Sequence, residues 1–236
     1  MNSTDEIRDH LTMGEINISG RLVDASNATL FGSCTHLGSE LSIIYKPIAG
    51  ERPLWDFADG NLASREYASY LLSELLGWNL VPVTILRDGP FGEGMVQQWI
   101  DIDEDIDLAL FYRTDDLRLR RMALFDAILN NTDRKIGHLL PTTDGHLFGC
   151  DHGVTFHEED KLRTVLWQWA GLPLDDPEKS DLRKLLSKLE SSETEISNLI
   201  TATEFQALLA RIAHLLSTRE FPSPSEDWPA VPWPPF

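Results

Sequence analysis

Apolar and polar positions change period several times along this chain, and each change marks an element. Ile16, Ile18 and the Leu22-Val23 pair predict one strand, Asp24-Ala25-Ser26-Asn27 supplies turn chemistry, and residues 28–34 give a second strand. After the turn Leu37-Gly38-Ser39-Glu40, the run from Leu41 to Lys46 gives a third. The breakers Gly50-Glu51-Arg52-Pro53 then interrupt the pattern. Helical spacing follows: Asn61 is placed to cap a helix running to about Trp78, with Tyr67, Tyr70, Leu71, Glu74 and Leu75 recurring along it. Val81 to Leu86 and Met95 to Ile100 read as two strands joined by a turn-rich connection from Asp88 to Gly94. Thr114 is expected to cap a long helix carrying Leu117, Arg121, Leu124 and Ile128 on one face. A short hairpin around Thr143-Asp144-Gly145 follows, and the tryptophan-rich stretch 161–169 is expected to pack as a helix. Amphipathic helices are expected at 178–189 and 202–217, the second opened by a Thr201/Glu204 capping box. Residues 1–13 form a loose or short helical lead-in, and the proline-dense end from Phe221 is an extended arm.

Composition narrows the setting. A chain of 236 residues, 42% hydrophobic and 25% charged, has enough apolar surface for one core or two small lobes sharing an interface. The net charge of −18 repels nucleic-acid phosphates and anionic lipid headgroups. Arg113, Arg118, Arg120 and Arg121 form either a basic patch or an ordinary solvated helix face. No apolar run is long enough for a membrane span, and the start lacks a signal-peptide pattern, so a cytoplasmic protein that binds neither membrane nor nucleic acid is expected. Cys34 and Cys150 match no metal spacing and read as buried thiols. The acidic run 101–107 lacks the Gly and closing Glu of a calcium loop and reads as a solvated connector.

The candidate chemistry lies in Asn130-Asn131-Thr132-Asp133-Arg134-Lys135-Ile136-Gly137-His138 and in Asp151-His152-Gly153. One acid sits in a polar turn after a long helix, and another precedes a glycine at the end of a short strand. Phosphoryl-transfer sites use this arrangement, because the protein mainly positions the reactants and spreads positive charge over oxygens. Asp133 is placed to orient or deprotonate an acceptor hydroxyl, Asp151 to hold a metal, and Lys46 to reach nucleotide phosphates. Glu66, on the first helix after the lysine strand, either pairs with Lys46 or faces solvent.

The loop from Asp133 to His138 resembles the Asp-Arg-His-x-x-Asn catalytic loop of the phosphatidylinositol 3-/4-kinase-like superfamily, and Asp151-His152-Gly153 resembles its Asp-Phe-Gly element. Most of residues 14–170 is also similar to an uncharacterised, mainly actinobacterial family related to those kinases, through 50–57, 94–99 and 161–167. The resemblance implies an α+β, two-lobed protein-kinase-like fold: an antiparallel-sheet small lobe (1–100), a mainly helical large lobe (101–220) and a Pro/Trp-rich C-terminal arm (221–236). It implies ATP with Mg2+ or Mn2+ as cofactors and a phosphotransferase acting on an unknown hydroxyl-bearing acceptor, a soluble protein or a small molecule. Ser26 and Asn27 stand where kinases place a glycine-rich phosphate loop, and either donate to phosphate or form a plain hairpin turn. Gln98, Trp99 and Ile100 fall at the adenine-binding hinge, where Gln98 and Trp99 either serve the base or are structural.

Arg134 is expected to stabilise Asp133 or touch phosphate. His138 stands where the superfamily has a metal-binding Asn: it either ligates a different second metal, or serves as a hydrogen-bonding residue, or marks a nucleotide-binding pseudokinase. A metal-dependent hydrolase using His138, His146, His152 and His157 with the two aspartates is a lesser alternative. The arm either docks its aromatics on the large lobe or offers a protein partner a proline-rich ligand.

Overall fold

A computed structural model describes residues 3–22, 27–57, 59–191 and 194–236. The lead-in is helix α1 (Thr4–Met13), opened by a reciprocal Ser3/Glu6 capping box, with His10 and Leu11 buried. Strands β1 (Glu15–Arg21), β2 (Leu30–His36) and β3 (Ser39–Pro47) form an antiparallel meander. Helix α2 (Leu62–Leu76) follows, and then the hairpin of β4 (Thr84–Gly89) and β5 (Gly92–Gln98). The sheet order is β1-β2-β3-β5-β4, so β5 pairs with β3 and sets Lys46 opposite Met95.

Two devices start α2. The Asn61 side chain accepts from Ser64 N at 2.7 Å, and the Glu51 carboxylate accepts from Leu62 N and Ala63 N at 2.8 Å each. Both satisfy amide groups that the first helical turn leaves unpaired. Gly77, with φ of 67°, ends the helix in the left-handed region that costs glycine little.

The remaining part is mainly helical. Helix α3 (Leu108–Phe111) is a single turn, and α4 (Leu117–Leu129) leads to the candidate loop. The short hairpin of β6 (Leu139–Pro141) and β7 (Leu147–Gly149) carries the second acid, and α5 (Asp176–Ser191), α6 (Ile196–Leu199) and α7 (Ala202–Thr218) close the chain's helical half. Met122, Leu124, Phe125, Ile128 and Leu129 of α4 are buried, each worth about 1.5–3 kcal/mol relative to exposure. The Thr201/Glu204 capping box forms as read, and Glu204 also binds Arg65 of α2 at 2.6 Å, tying α2 to α7.

Three readings are corrected, and one that the sequence left open is decided. Asp116, not Thr114, caps α4: its carboxylate accepts from Arg118 N, while Thr114 donates to Phe111 O. The apolar face of α4 begins later than expected, with Leu117 78% exposed. Residues 161–169 are not a helix, because their amides are engaged by distant carbonyls: Arg163 N donates to Asn131 O, Thr164 N to Ala230 O and Val165 N to Arg134 O. The four arginines are not a common patch. Arg118 pairs with Asp116, Arg120 with Glu178, and Arg113 and Arg121 lie over Tyr112 and Trp78. Cys34 is buried, and both cysteines are free thiols.

Candidate active site

Lys46, near the end of β3, meets carboxylates from two other parts of the chain. Its Nζ lies 2.6 Å from Glu66 Oε1 of α2 and 2.7 Å from Asp151 Oδ1, just after β7. The other oxygen of Glu66 accepts from His152 N at 2.9 Å, so one carboxylate clasps both the lysine and the backbone beside Asp151. The two acids differ in setting: Glu66 is 1% exposed at the side chain and Asp151 is 51% exposed. Burial works against the Lys46 ammonium, but Asp151 and then Glu66 outweigh it and hold it above the ordinary lysine value. Lys46 in turn holds Asp151 well below the usual carboxylate range. Asp151 has φ of 59°, a left-handed conformation rare for a residue with a side chain.

The loop bearing Asp133 is built from beneath. Asn130 ends α4 with φ of 53°, and its side chain donates to His157 O and Glu159 O. Asn131 Oδ1 accepts from Asp133 N at 3.0 Å, while its amide group donates to Asp126 Oδ1 at 2.9 Å. Arg134 turns the other way. Fully buried, it donates through Nε and Nη2 to Asp126 at 2.9–3.1 Å, and through Nη1 to Cys150 O at 3.0 Å. Its Nη2 is also 2.6 Å from His152 Nε2. A guanidinium only donates, so His152 Nε2 accepts and its proton sits on Nδ1, which is buried without a partner among the described residues. Burial and the adjacent Arg134 keep this imidazole neutral. The expectation that Arg134 contacts Asp133 or phosphate is therefore corrected: it anchors the loop to α4 and to the backbone before Asp151.

Asp133 faces open space. A cleft of about 560 Å³ is lined by Lys46, Glu66, Asp133 and Asp151 together with Asn27 and residues of the β3–α2 connection. Burial pushes the Asp133 carboxyl above its ordinary value, and Lys135, 3.4 Å away, pulls it back. Arg163 Nη2 lies 3.7 Å from its other oxygen. Asn27 Oδ1 accepts from Arg52 N at 2.9 Å, fastening the turn before β2 to the loop after β3. Ser26 lies outside the described residues.

The hinge residues do not line this cleft. Gln98 N donates to Val83 O and Trp99 N to Ser42 O, and the Trp99 indole packs edge-on against Phe31 in a separate groove. Neither amide is free for a base edge, which favours the structural reading for these two and leaves Ile100 as the position that follows the sheet.

The fit of a divalent cation rests on Asp151 and His138. His138 Nε2 lies 3.5 Å from Asp151 Oδ2, and burial lowers the imidazole to about 4, so it is neutral at physiological pH. Lys135 N points at His138 Nδ1 from 3.4 Å, which leaves the neutral ring's proton on Nε2, facing Asp151. In that tautomer His138 turns an N–H, not a lone pair, toward Asp151. Among the described residues no three His, Cys, Asp or Glu side chains gather as a metal cage. The half-exposed Asp151 fits one cation whose other ligands come from phosphates, as oxygen-preferring magnesium sites do. The hydrolase alternative is corrected too: His146 binds Asn79 O, His157 meets Phe57 edge-on and His152 is buried on Arg134.

Sequence reasoning missed Asp126, Asn131, Lys135, Arg163 and Trp228, all of which support or line the site. Asn131 carried a local signal, an Asn two residues before the acid it orients. Lys135 is also local, two residues from Asp133, but the roles of Asp126, Arg163 and Trp228 depend on contacts farther along the chain.

No helix among the described residues is long and apolar enough to cross a membrane. No family model matches the sequence. Solved structures share its fold. The structure of hydra Fam20 with sugar superposes with a TM-score of 0.58 at 13% identity, covering 92% of this chain and 89% of that one. The Golgi casein kinase with Mn/ADP bound gives 0.58 at 15%, covering 91% and 75%. The fold is thus the two-lobed, protein-kinase-like one, of the atypical type. Protein Rv2133c of Mycobacterium tuberculosis (strain ATCC 25618 / H37Rv) is 43% identical over 96% of this chain and 94% of its own length, and the chain belongs to the family of that protein.

Proposed function

We propose that this protein is an ATP-dependent phosphotransferase that moves a phosphoryl group onto a hydroxyl of a soluble protein or small molecule. The carrying observation is the meeting of Lys46, Glu66 and Asp151 at one end of a cleft that also holds Asp133. A neighbour of the same fold was solved with Mn/ADP, which supports an adenine nucleotide with a divalent cation here. The net charge of −18 disfavours an anionic lipid surface as the acceptor's home, so the relation to phosphatidylinositol kinases is read as one of architecture. The chain is read as a small lobe over 1–100, a large lobe over 101–220 and a C-terminal arm, with transfer between the lobes.

Each residue then has a task. Glu66, buried and fixed by His152 N, keeps Lys46 extended, and Lys46 exchanges its contact with the half-exposed Asp151 for phosphate oxygens. A magnesium or manganese ion held by Asp151 supplies charge neutralisation on the phosphates. His138 donates to Asp151 and orients it. Asp133 accepts the proton of the acceptor hydroxyl, while Lys135 and Arg163 keep its carboxylate ionised. Asn27 is left with its amide N–H groups to donate to phosphate.

A second reading has one observation in its favour. With its Nε2 N–H turned toward Asp151, His138 does not replace the metal-binding Asn, and a nucleotide-binding pseudokinase would look the same. Incubation with γ-labelled ATP and Mg2+ or Mn2+ separates the two. Label on the protein or in free phosphate, lowered about 10²–10⁴-fold in Asp133→Asn with thermal protection by Mn/ADP retained, supports transfer. Protection without label in either metal supports the pseudokinase, and no protection at all removes both readings.

A further inference from the structure

The proline-rich arm does not hang free. Ala230 O accepts from Thr164 N at 3.1 Å and from Trp167 Nε1 at 2.8 Å, and Pro235 O accepts from Ile136 N at 2.8 Å, inside the loop that runs from Asp133 to His138. Trp228 lines the same cleft as Asp133. The ring of Trp228 takes two cations: Lys161 Nζ at 5.0 Å from its centroid and Arg163 Cζ at 5.9 Å. Lys161 Nζ is also 5.1 Å from the ring of Trp55, which lines the same cleft and is 84% exposed. One ammonium therefore contacts two indoles that both line the cleft, while Arg163 links Trp228 to the Asp133 carboxylate. The Trp228 Nε1 atom has no hydrogen-bond partner among the described residues, whose contacts to this indole are the two cations and packing.

Resting on the phosphotransferase reading of this cleft, we propose that the C-terminal arm is part of its acceptor side. Trp228 is a positioning residue that walls the opening, holds Arg163 against Asp133 and restricts the access of water to that carboxylate. An arm that only offered a ligand to a partner would not place an indole in the cleft or a carbonyl on the catalytic loop. Water and an acceptor hydroxyl compete for the same phosphoryl group, so a wall on this side discriminates between them.

The test uses the full-length protein with Trp228→Ala and, to keep the apolar space filled, Trp228→Leu. In an Asp133→Cys background, the rate of thiol modification by a small aromatic disulfide should rise at least about fivefold in Trp228→Ala, and less in Trp228→Leu, as the wall is opened. Cys34 is buried, and Cys150, which is part-exposed, is replaced by Ser in every protein compared, so that the thiol introduced by Asp133→Cys is the one read. With Asp133 intact, hydrolysis of ATP without an acceptor should rise in the same order while Mn/ADP protection stays unchanged. Modification rates within about twofold of the parent in both variants overturn the wall, whether or not the protein hydrolyses ATP. Faster modification in the variants, with no ATP hydrolysis in the parent or in either opened variant with Mg2+ or Mn2+, overturns the phosphotransferase reading and leaves the wall standing.

Discussion

Two charged clusters about the loop from Asn130 to His138 use the same ingredients and differ in what they leave open. Beneath the loop, Asp126 and Arg134 have no exposure, and the carboxylate is saturated by Arg134, Asn131 and Thr164. Above it, Lys46 bridges the buried Glu66 and the half-exposed Asp151. The lower cluster has nothing left to give, so it serves as an anchor. In the upper one a single contact, Lys46 to Asp151, lies where water or phosphate can replace it. Exposure of one partner, more than strength of pairing, separates a structural ion pair from a reactive one.

The comparison is broken most severely from below. Asp126→Ala leaves a buried guanidinium unpaired and is expected to cost about 3–5 kcal/mol, read as a large fall in the urea midpoint, and to reduce the yield of folded protein. Lys46→Met should separate the clusters from the other side. Phosphoryl transfer is expected to fall at least about 10²-fold, while stability changes by less than about 2 kcal/mol, because Glu66 takes up a proton and Asp151 turns to water. Equal destabilisation by the two substitutions, measured by urea unfolding, would erase the distinction drawn here. The smallest effect is in pH. Asp133 must be ionised to act as a base, and its folded-state value is already raised by burial, so activity is lost as pH falls through that raised value. Lys135 is the foremost group opposing that rise, and Lys135→Gln should move the acidic limb of the kcat/KM profile to higher pH, with less than about a threefold change at neutral pH.

Much of this was legible in sequence where the signal was local. The meander, the Asn61 cap of α2 and the Thr201/Glu204 box follow from period and capping residues, which act within a few positions. The pairing of Lys46 with Glu66 was open in sequence, since an isolated helical Glu more often faces water; a fold that turns that face of α2 toward β3 decides it. The role of Arg134 was misread because an arginine beside a catalytic-type acid looks available, and only the burial of Asp126 on the preceding helix shows that it is not. Residues 161–169 were misread for a related reason. Their composition suits a packed helix, but the amides of 163–165 are taken by partners from the loop and the arm, which no local pattern encodes.

The backbone at Asp151 adds a consequence of its own. At φ of 59° a side chain crowds its own carbonyl, a penalty that glycine escapes altogether and asparagine bears without a charge. Either would suit the turn better, yet neither brings a formal negative charge to the lysine. The chain keeps an acid at the one step after β7 where its own geometry would favour leaving it out, and so ranks what that oxygen touches above the comfort of the bend.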